Sequence, residues 1–440
     1  MTDMTNDYRT GLRRRALRVA AALAVVMPIA ACDVDNLLDI RDPDVADPTG
    51  LDDATALPSF LAAAIGDVGQ AYDNDDGQIT YSGMMADEFI NSETFPTRIQ
   101  IDIRNILFDN ASLDGVTRNL YQGRTAAELA VAQYEKFNET DQDGYAESLG
   151  LAALTYVLFG ENYCSGVPFS QQNEDGSFEY GGRETTEQIF ERAIESTNAA
   201  IAAADAGSDE LHFAAVLKGR ALLNLNRPAE AAAAVAGVPT DFVYGFAHSE
   251  NTARENNGVF VFNVLSERIS VANSEGINGL PYRTAFTNGD PRTPWRRSPG
   301  NDTGFDRSTP QFDGLKYDSR SAFTPAATGV EARMIEAEAA LRAGDFTTFI
   351  AMLNEPRGDA VGLPASLADV TDPGTEAGRI DLLFRERAFW MWMTSHRLGD
   401  LRRLIRQYGR AEDDVFPTGP YHKANQGGVY GDDVNLPLTV

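Results

Sequence analysis

Cysteine is scarce: the 440 residues contain two, Cys32 and Cys164. The four histidines, His212, His248, His396 and His422, are scattered and show no metal-ligand spacing. There is no glycine-rich phosphate loop and no nucleophile elbow, so the motifs imply neither metal nor cofactor. Tryptophan occurs three times, at Trp295, Trp390 and Trp392. No apolar run approaches the ~20 residues that cross a bilayer. Basic residues are the deficient charge, with 37 Lys and Arg against 65 Asp and Glu, a formal charge of −28. Such a surface repels nucleic acid and anionic lipid, which excludes phosphate-backbone binding as a function.

What is present begins with an address. Arg13, Arg14, Arg15 and Arg18 precede 13 uncharged, mostly apolar residues from Val19 to Ala31. A basic start, a short apolar core and small residues at its end make residues 1–31 a signal peptide. Ile29-Ala30-Ala31-Cys32 resembles the bacterial lipobox. That resemblance implies cleavage before Cys32 and a lipid on its thiol, with residues 32–55, rich in Asp, Pro and Thr, as a lipidated tether. The alternative is an ordinary signal peptide with cysteine next by chance. Once Cys32 carries lipid, Cys164 has no partner and no intramolecular disulfide forms. Residues 32–440 then hold 32 basic and 63 acidic residues, a formal charge of −31. About 400 residues can bury one large core or two ordinary ones.

Helical periodicity dominates the chain beyond the tether. Phe60, Leu61, Ala64, Ile65 and Val68 recur at helical spacing between Leu57 and Tyr72. Asn119–Phe137 reads as a helix with Leu120, Ala127, Leu129 and Ala132 inside and an Arg124–Glu128 pair at i,i+4. Residues 145–159 form an apolar helix whose small residues allow close packing, and Thr186 is the expected cap of a helix over 185–206. Residues 215–239 and 332–357 each read as two antiparallel helices, with turns at Asn226-Arg227-Pro228 and Gly344-Asp345. They resemble tetratricopeptide-type hairpins, although the two are not in tandem. Alanine-rich hairpins of ordinary helical bundles are the plainer explanation.

The texture changes between the hairpins. "GVFVFNVLSERI", residues 258–269, has the β-branched and aromatic content of a strand. Residues 272–328 are rich in Gly, Pro, Asn and Asp, and an irregular region that long is usually functional. Trp295 stands there with little around it to build a core. An indole can take the apolar face of a sugar ring while neighbours bond its hydroxyls. Arg292, Arg296 and Arg297 make the loop basic and favour carboxylate-bearing ligands, while Tyr282, Phe305 and Tyr317 would widen the platform. A Trp295 that merely anchors the loop is the competing possibility. The second candidate edge is "ADEFINSETFPTRIQ", with Phe89, Asn91, Phe95 and Arg98.

Near the end, "ERAFWMWMTSHRLGDLRR", residues 386–403, resembles the late helix of the SusD/RagB outer-membrane nutrient-uptake lipoproteins, with Glu386-Arg387, His396-Arg397 and Asp400-Leu401-Arg402-Arg403 at the family's spacing. Phe389-Trp390 and Met393-Thr394-Ser395 depart from it. "DEF" at 87–89, "GVPFS" at 166–170, "DPR" at 290–292, "AEAALRAGD" at 337–345 and "LNEPR" at 353–357 complete the set in order. The resemblance implies a mainly α SusD-like helical fold over residues 56–440, with tetratricopeptide-like hairpins and a long loop-rich region carrying short strands. It further implies a surface-exposed, lipid-anchored protein that binds glycans or other oligomeric nutrients over a SusC-like, TonB-dependent transporter. No catalytic residue is assigned.

Several residues have plainer roles. Trp390 and Trp392 are expected in the core, and Arg397, Asp400 and Arg403 in a structural ion-pair network along the late helix. Asp87-Glu88 would be the nearest approach to glycosidase acids. Adjacent residues diverge, however, and do not flank one bond at the roughly 5 to 10 Å that chemistry requires. Cys164 without a positioned histidine is a small packing residue. A surface glycoside hydrolase or lyase, and a helical-repeat scaffold binding only protein, are the competing functions.

Overall fold

The computed structural model describes residues 53–438 except 141, 173–176, 301, 359–360 and 424–427. The chain divides into a segment, Met1–Ala56, and a body, Leu57–Val440. The signal peptide, Cys32 and the tether as far as residue 52 lie outside the described residues. No described helix is long and apolar enough to cross a membrane.

The body is built from helices laid against their neighbours. Helices α1 (Leu57–Asp73), α2 (Gln78–Met85), α3 (Pro96–Asp102), α4 (Ala111–Lys136) and α5 (Asp143–Asn162) form its first part. Helices α6 (Thr186–Ala203), α7 (Asp209–Asn224) and α8 (Pro228–Val235) follow. Helix α1 packs on α4, α4 on α5, α5 on α6 and α7, and α7 on α8. Helix α5 is buried along nearly its whole length, and its glycines explain how. A Cβ at Gly150 would stand 2.7 Å from the Phe213 ring, and one at Gly160 would stand 2.6 Å from Phe190. The expected close packing is therefore aromatic ring against bare backbone.

The second hairpin joins the first in space. Helix α9 (Tyr282–Thr287) lies in the loop-rich region, and α10 (Gly329–Ala343) and α11 (Phe346–Gly358) form the later pair. Gly344 closes α10 in the left-handed conformation at φ 77°, and Pro228 opens α8 after Asn226 at φ 58°. Helix α8 packs directly on α10, so hairpins far apart in the chain stack as neighbours.

Local expectations are corrected in several places. Helix α4 begins at Ala111, not Asn119, because the Asn110 side chain accepts from Leu113 N at 2.9 Å. Leu129 and Ala132 on it face solvent, while the Arg124–Glu128 pair forms at 2.8 Å. The cap of α6 is Thr185, one residue before the expected Thr186, in a capping box with Gln188. The 258–269 segment is not a strand. Asn257 accepts from Phe260 N at 2.8 Å and starts a helical turn, Gly258–Phe260, that runs into a π turn, Val261–Leu265. Its β-branched and aromatic content reports burial, which a buried helical turn satisfies as well as a strand does.

The largest correction concerns the late motif. Residues 386–403 are two helices, the end of α12 (Glu376–Trp390) and the start of α13 (Arg397–Tyr408). Between them Met393 and Ser395 take left-handed φ of 57° and 61°. Distant side chains capture this backbone. Glu88 accepts from Met393 N at 2.9 Å, Tyr317 donates to Met393 O at 2.7 Å, and Tyr72 to Thr394 O at 2.7 Å. Trp392 is buried, and Trp390, half-buried, packs against the core beside a groove wall. Arg397 pairs not with Asp400 but with Asp87, at 2.7 Å; Asp400 instead takes Arg387 at 2.8 Å and Arg403 at 3.0 Å.

The loop-rich region is stitched by short strands. Strand β1 (Phe89–Asn91) pairs antiparallel with β3 (Ile269–Val271), Asn91 opposite Ile269. Strand β2 (Val243–Phe246) pairs with β6 (Thr324–Thr328), and β4 (Trp295–Arg297) with β5 (Phe312–Gly314). Strand β5 packs on β3. This brings the two candidate edges of the sequence together.

Candidate functional site

Most residues expected to face a ligand are instead committed to the fold. Tyr282 and Tyr317 are buried, the first against Phe389 and Trp392 with its hydroxyl 3.3 Å from Asp87, the second donating to Met393 O. Phe89 and Asn91 on β1 are fully buried. Trp295 is half-buried; its indole N–H donates to Arg283 O at 2.8 Å and its ring meets Phe312 edge-on at 5.3 Å. It anchors the loop. Asp87 and Glu88 are buried too, Asp87 gripped by Arg397 and by Leu280 N, Glu88 by Met393 N, which leaves neither beside a cleft.

The expected basicity of the loop is also cancelled. Arg292 pairs with Asp290 and Glu386, both at 2.7 Å, Arg296 with Asp313 at 3.1 Å and Arg297 with Asp302 at 2.9 Å. A preference for anionic ligands cannot rest on these three.

Where the two edges meet, the surface is different. Phe95 precedes Pro96, which opens α3, and Phe305 stands on the excursion between β4 and β5. They are 47% and 49% exposed. The Arg268 guanidinium lies 5.3 Å from the Phe95 ring centroid and 4.3 Å from that of Phe305. Arg98, one turn into α3, also lies over Phe95 at 5.3 Å and over the buried Phe262 at 4.8 Å. Each such cation–ring contact contributes about 0.5–1 kcal/mol at an exposed site.

The support beneath is ionic and buried. Glu93, with no exposed surface, accepts from Arg268 at 2.5 Å and from Arg98 at 3.1 Å. Arg98 reaches on to Asp76 at 2.8 Å and Tyr81 at 3.0 Å. Lys423, buried, bonds Asn91 at 2.7 Å and Asp306, the residue after Phe305, at 3.0 Å. Burial pushes the Asp306 carboxyl up, but hydrogen bonds from Thr309, Ser308 and Lys423 outweigh it and hold the group at about 2. The excursion thus stays pinned to β1 across the ordinary pH range. The Arg268 Nε and Nη2 groups carry no hydrogen bond among the described residues. Two apolar ring faces flank a guanidinium with donors to spare, an arrangement suited to the C–H faces and hydroxyls of sugar rings.

Phe95, Arg98 and Phe305 belong to the expected edges; Arg268, Glu93 and Lys423 do not. Arg268 is brought in by strand pairing, since Ser92 N bonds Arg268 O at 2.9 Å just beyond the β1–β3 register. No local signal marks it. A groove of about 910 Å³ lies elsewhere, between Phe242, Phe286, Pro294, Phe323, Pro325 and Trp390, with Arg292 and Lys316 on its wall.

No protein-family model and no curated protein matches the sequence. Solved structures do resemble it. A SusD superfamily protein from Parabacteroides distasonis superimposes with a TM-score of 0.62 at 15% identity, covering 88% of this chain and 97% of that one. A laminarin-binding SusD-like protein gives 0.61 at 16% identity, covering 88% and 96%. A SusD-like carbohydrate-binding protein from Bacteroides vulgatus gives 0.59 at 12%, covering 79% and 83%. These superpositions show that the chain has a SusD-like fold.

Proposed function

We propose that this chain is a SusD/RagB-type lipoprotein that captures glycan on the Phe95–Arg268–Phe305 surface and passes it to a TonB-dependent, SusC-like transporter. The exposed aromatic pair around a supported arginine carries this reading. A ring face laid on Phe95 or Phe305 leaves water, while the free Arg268 donors meet ring hydroxyls. The buried Glu93, Asp306 and Lys423 hold the pieces in place before ligand arrives, which lowers the ordering cost of binding. The carbohydrate-binding and laminarin-binding proteins of the same fold support the ligand class. Lipidation at Cys32 places the protein on the outer membrane, facing the cell surface. The reading is non-catalytic, in line with the structural duties of Asp87 and Glu88.

Affinity electrophoresis of the full chain in detergent, through gels containing a panel of polysaccharides, tests it. At least one polymer should retard the wild type, and Phe95→Ala with Phe305→Ala should abolish that retardation. Retardation unaffected by the double variant would move the site, with the 910 Å³ groove as the next place to look. New reducing ends during incubation would favour the hydrolase alternative.

A further inference from the structure

The Arg283 side chain, in the loop region, has no polar partner among the described residues. Arg283, on α9, makes no ion pair and donates no side-chain hydrogen bond there, and its Nε is buried. The residue is half-buried, so solvent reaches its guanidinium. It lies 3.6 Å from the Phe312 ring centroid and 5.9 Å from that of Trp295. Arg297 lies 5.3 Å from the same Phe312 ring. The Arg283 carbonyl is itself held by the Trp295 indole N–H. Burial, with Arg297 nearby, pulls its pKa down to about 10 despite the opposing influence of Glu275, so it remains a cation at neutral pH. Glu275 is spoken for by the Tyr430 hydroxyl and makes no bond to it.

A buried donor without an acceptor is costly, and the buried Arg292 avoids that cost by taking the Glu386 carboxylate at 2.7 Å. Here the guanidinium lies over the Phe312 ring, the Trp295 indole holds the backbone carbonyl, and, with Nε buried, the two Nη groups carry no hydrogen bond among the described residues. We propose that Arg283 receives a carboxylate of the bound glycan, so that the ligand is an acidic, uronate-bearing polysaccharide. This rests on the glycan-capture reading above and adds the substrate class to it. A planar carboxylate fits the guanidinium fork with two parallel hydrogen bonds, which a hydroxyl cannot match. Trp295 and Arg297 border the same position, and Arg297 is tied to Asp302, three residues before Phe305 in sequence. Beyond roughly 8 Å the repulsion of the acidic surface is screened at physiological salt, so it does not keep a carboxylate from Arg283.

Calorimetric titration of the full chain in detergent with trigalacturonate, its methyl ester and a neutral glucan trisaccharide tests this. Trigalacturonate should bind at least tenfold more tightly than its ester and weaken as salt rises. Arg283→Gln should remove that preference, Arg283→Lys should restore only part of it, and both should leave neutral binding intact. Matching near-ultraviolet circular dichroism of the variants would show that the fold persists. Equal affinity for acid and ester, or an acid preference that survives Arg283→Gln, would overturn the carboxylate assignment alone. Loss of all binding in the Phe95→Ala/Phe305→Ala variant with no change in Arg283→Gln has the same meaning. Absence of binding to any of the three sugars and to every polymer of the panel would overturn the capture reading and this one with it.

Discussion

Arg397 grips Asp87 through two hydrogen bonds, of 2.7 and 3.0 Å, across 310 positions of sequence. Asp87 belongs to "DEF" and Arg397 to the His396-Arg397 pair, two of the short motifs by which the sequence resembles SusD/RagB proteins, and both are buried. The motifs are therefore physically one object. Asp87 also accepts from Leu280 N, which ties the start of the loop-rich region to the same point.

Removing one partner leaves the other charged and buried. Asp87→Ala should lower stability by about 3–5 kcal/mol, read from urea unfolding. The paired replacement Asp87→Leu/Arg397→Met should recover most of that loss, because no uncompensated charge remains. Equal destabilisation by the single and double variants would refute the ion pair as the cause.

The phenylalanine surface should behave in the opposite way. Phe95 and Phe305 are half exposed, so Phe305→Ala, losing one arginine contact, should cost less than about 1 kcal/mol of stability, and Phe95→Ala, losing two, about 1–2 kcal/mol. Each removes a ring face that a sugar would cover, worth roughly 1–2 kcal/mol of binding, or about a tenfold loss of affinity. Calorimetry with the best polymer of the panel measures the loss, and thermal unfolding checks the stability.

Much of the scaffold is legible in local signals. A threonine cap ahead of a helical run places the start of α6 to within a residue, and Pro228 and Gly344 mark their turns because only local backbone geometry is at stake. The break at Met391–Ser395 is not legible, since Glu88, Tyr317 and Tyr72 impose it from far along the chain. The site divides on the same line. Aromatic and basic residues on irregular segments single out Phe95, Arg98 and Phe305. Arg268 and Lys423 join them only through tertiary pairing, and Tyr282 and Tyr317 are lost to the core for the same reason.

Two glycines separate close approach from mere flexibility. A Cβ at Gly245 on β2 would fall 2.0 Å from Thr324 O on β6, whereas one at Gly66 on α1 would meet nothing within 4 Å. Gly245→Ala should force the strands apart and destabilise by more than about 2 kcal/mol. Gly66→Ala should stabilise by about 0.5–1 kcal/mol, because it removes backbone freedom from an exposed helix interior. Opposite shifts in melting temperature are the expected result.

The pH dependence of stability should carry the mark of Glu88. Burial raises its carboxyl to about 8, against the hydrogen bond from Met393 N and the nearby charges of Arg397 and Lys316. In the unfolded chain the same group releases its proton near 4.5. Between these values the folded state holds a proton that the unfolded state has lost, so its contribution to stability is complete below pH 4.5 and fades as pH rises towards 8. The slope from this one group approaches about 1.4 kcal/mol per pH unit at its steepest. Burial lowers Lys316 to about 8 as well, and its opposite slope begins only above that pH, where the unfolded chain still holds the proton. Glu88→Gln keeps an oxygen for Met393 N and removes the titration. Denaturation midpoints of the wild type should thus fall from about pH 5 to about pH 8 more steeply than those of Glu88→Gln, and parallel curves would show that Glu88 is ionised in the fold.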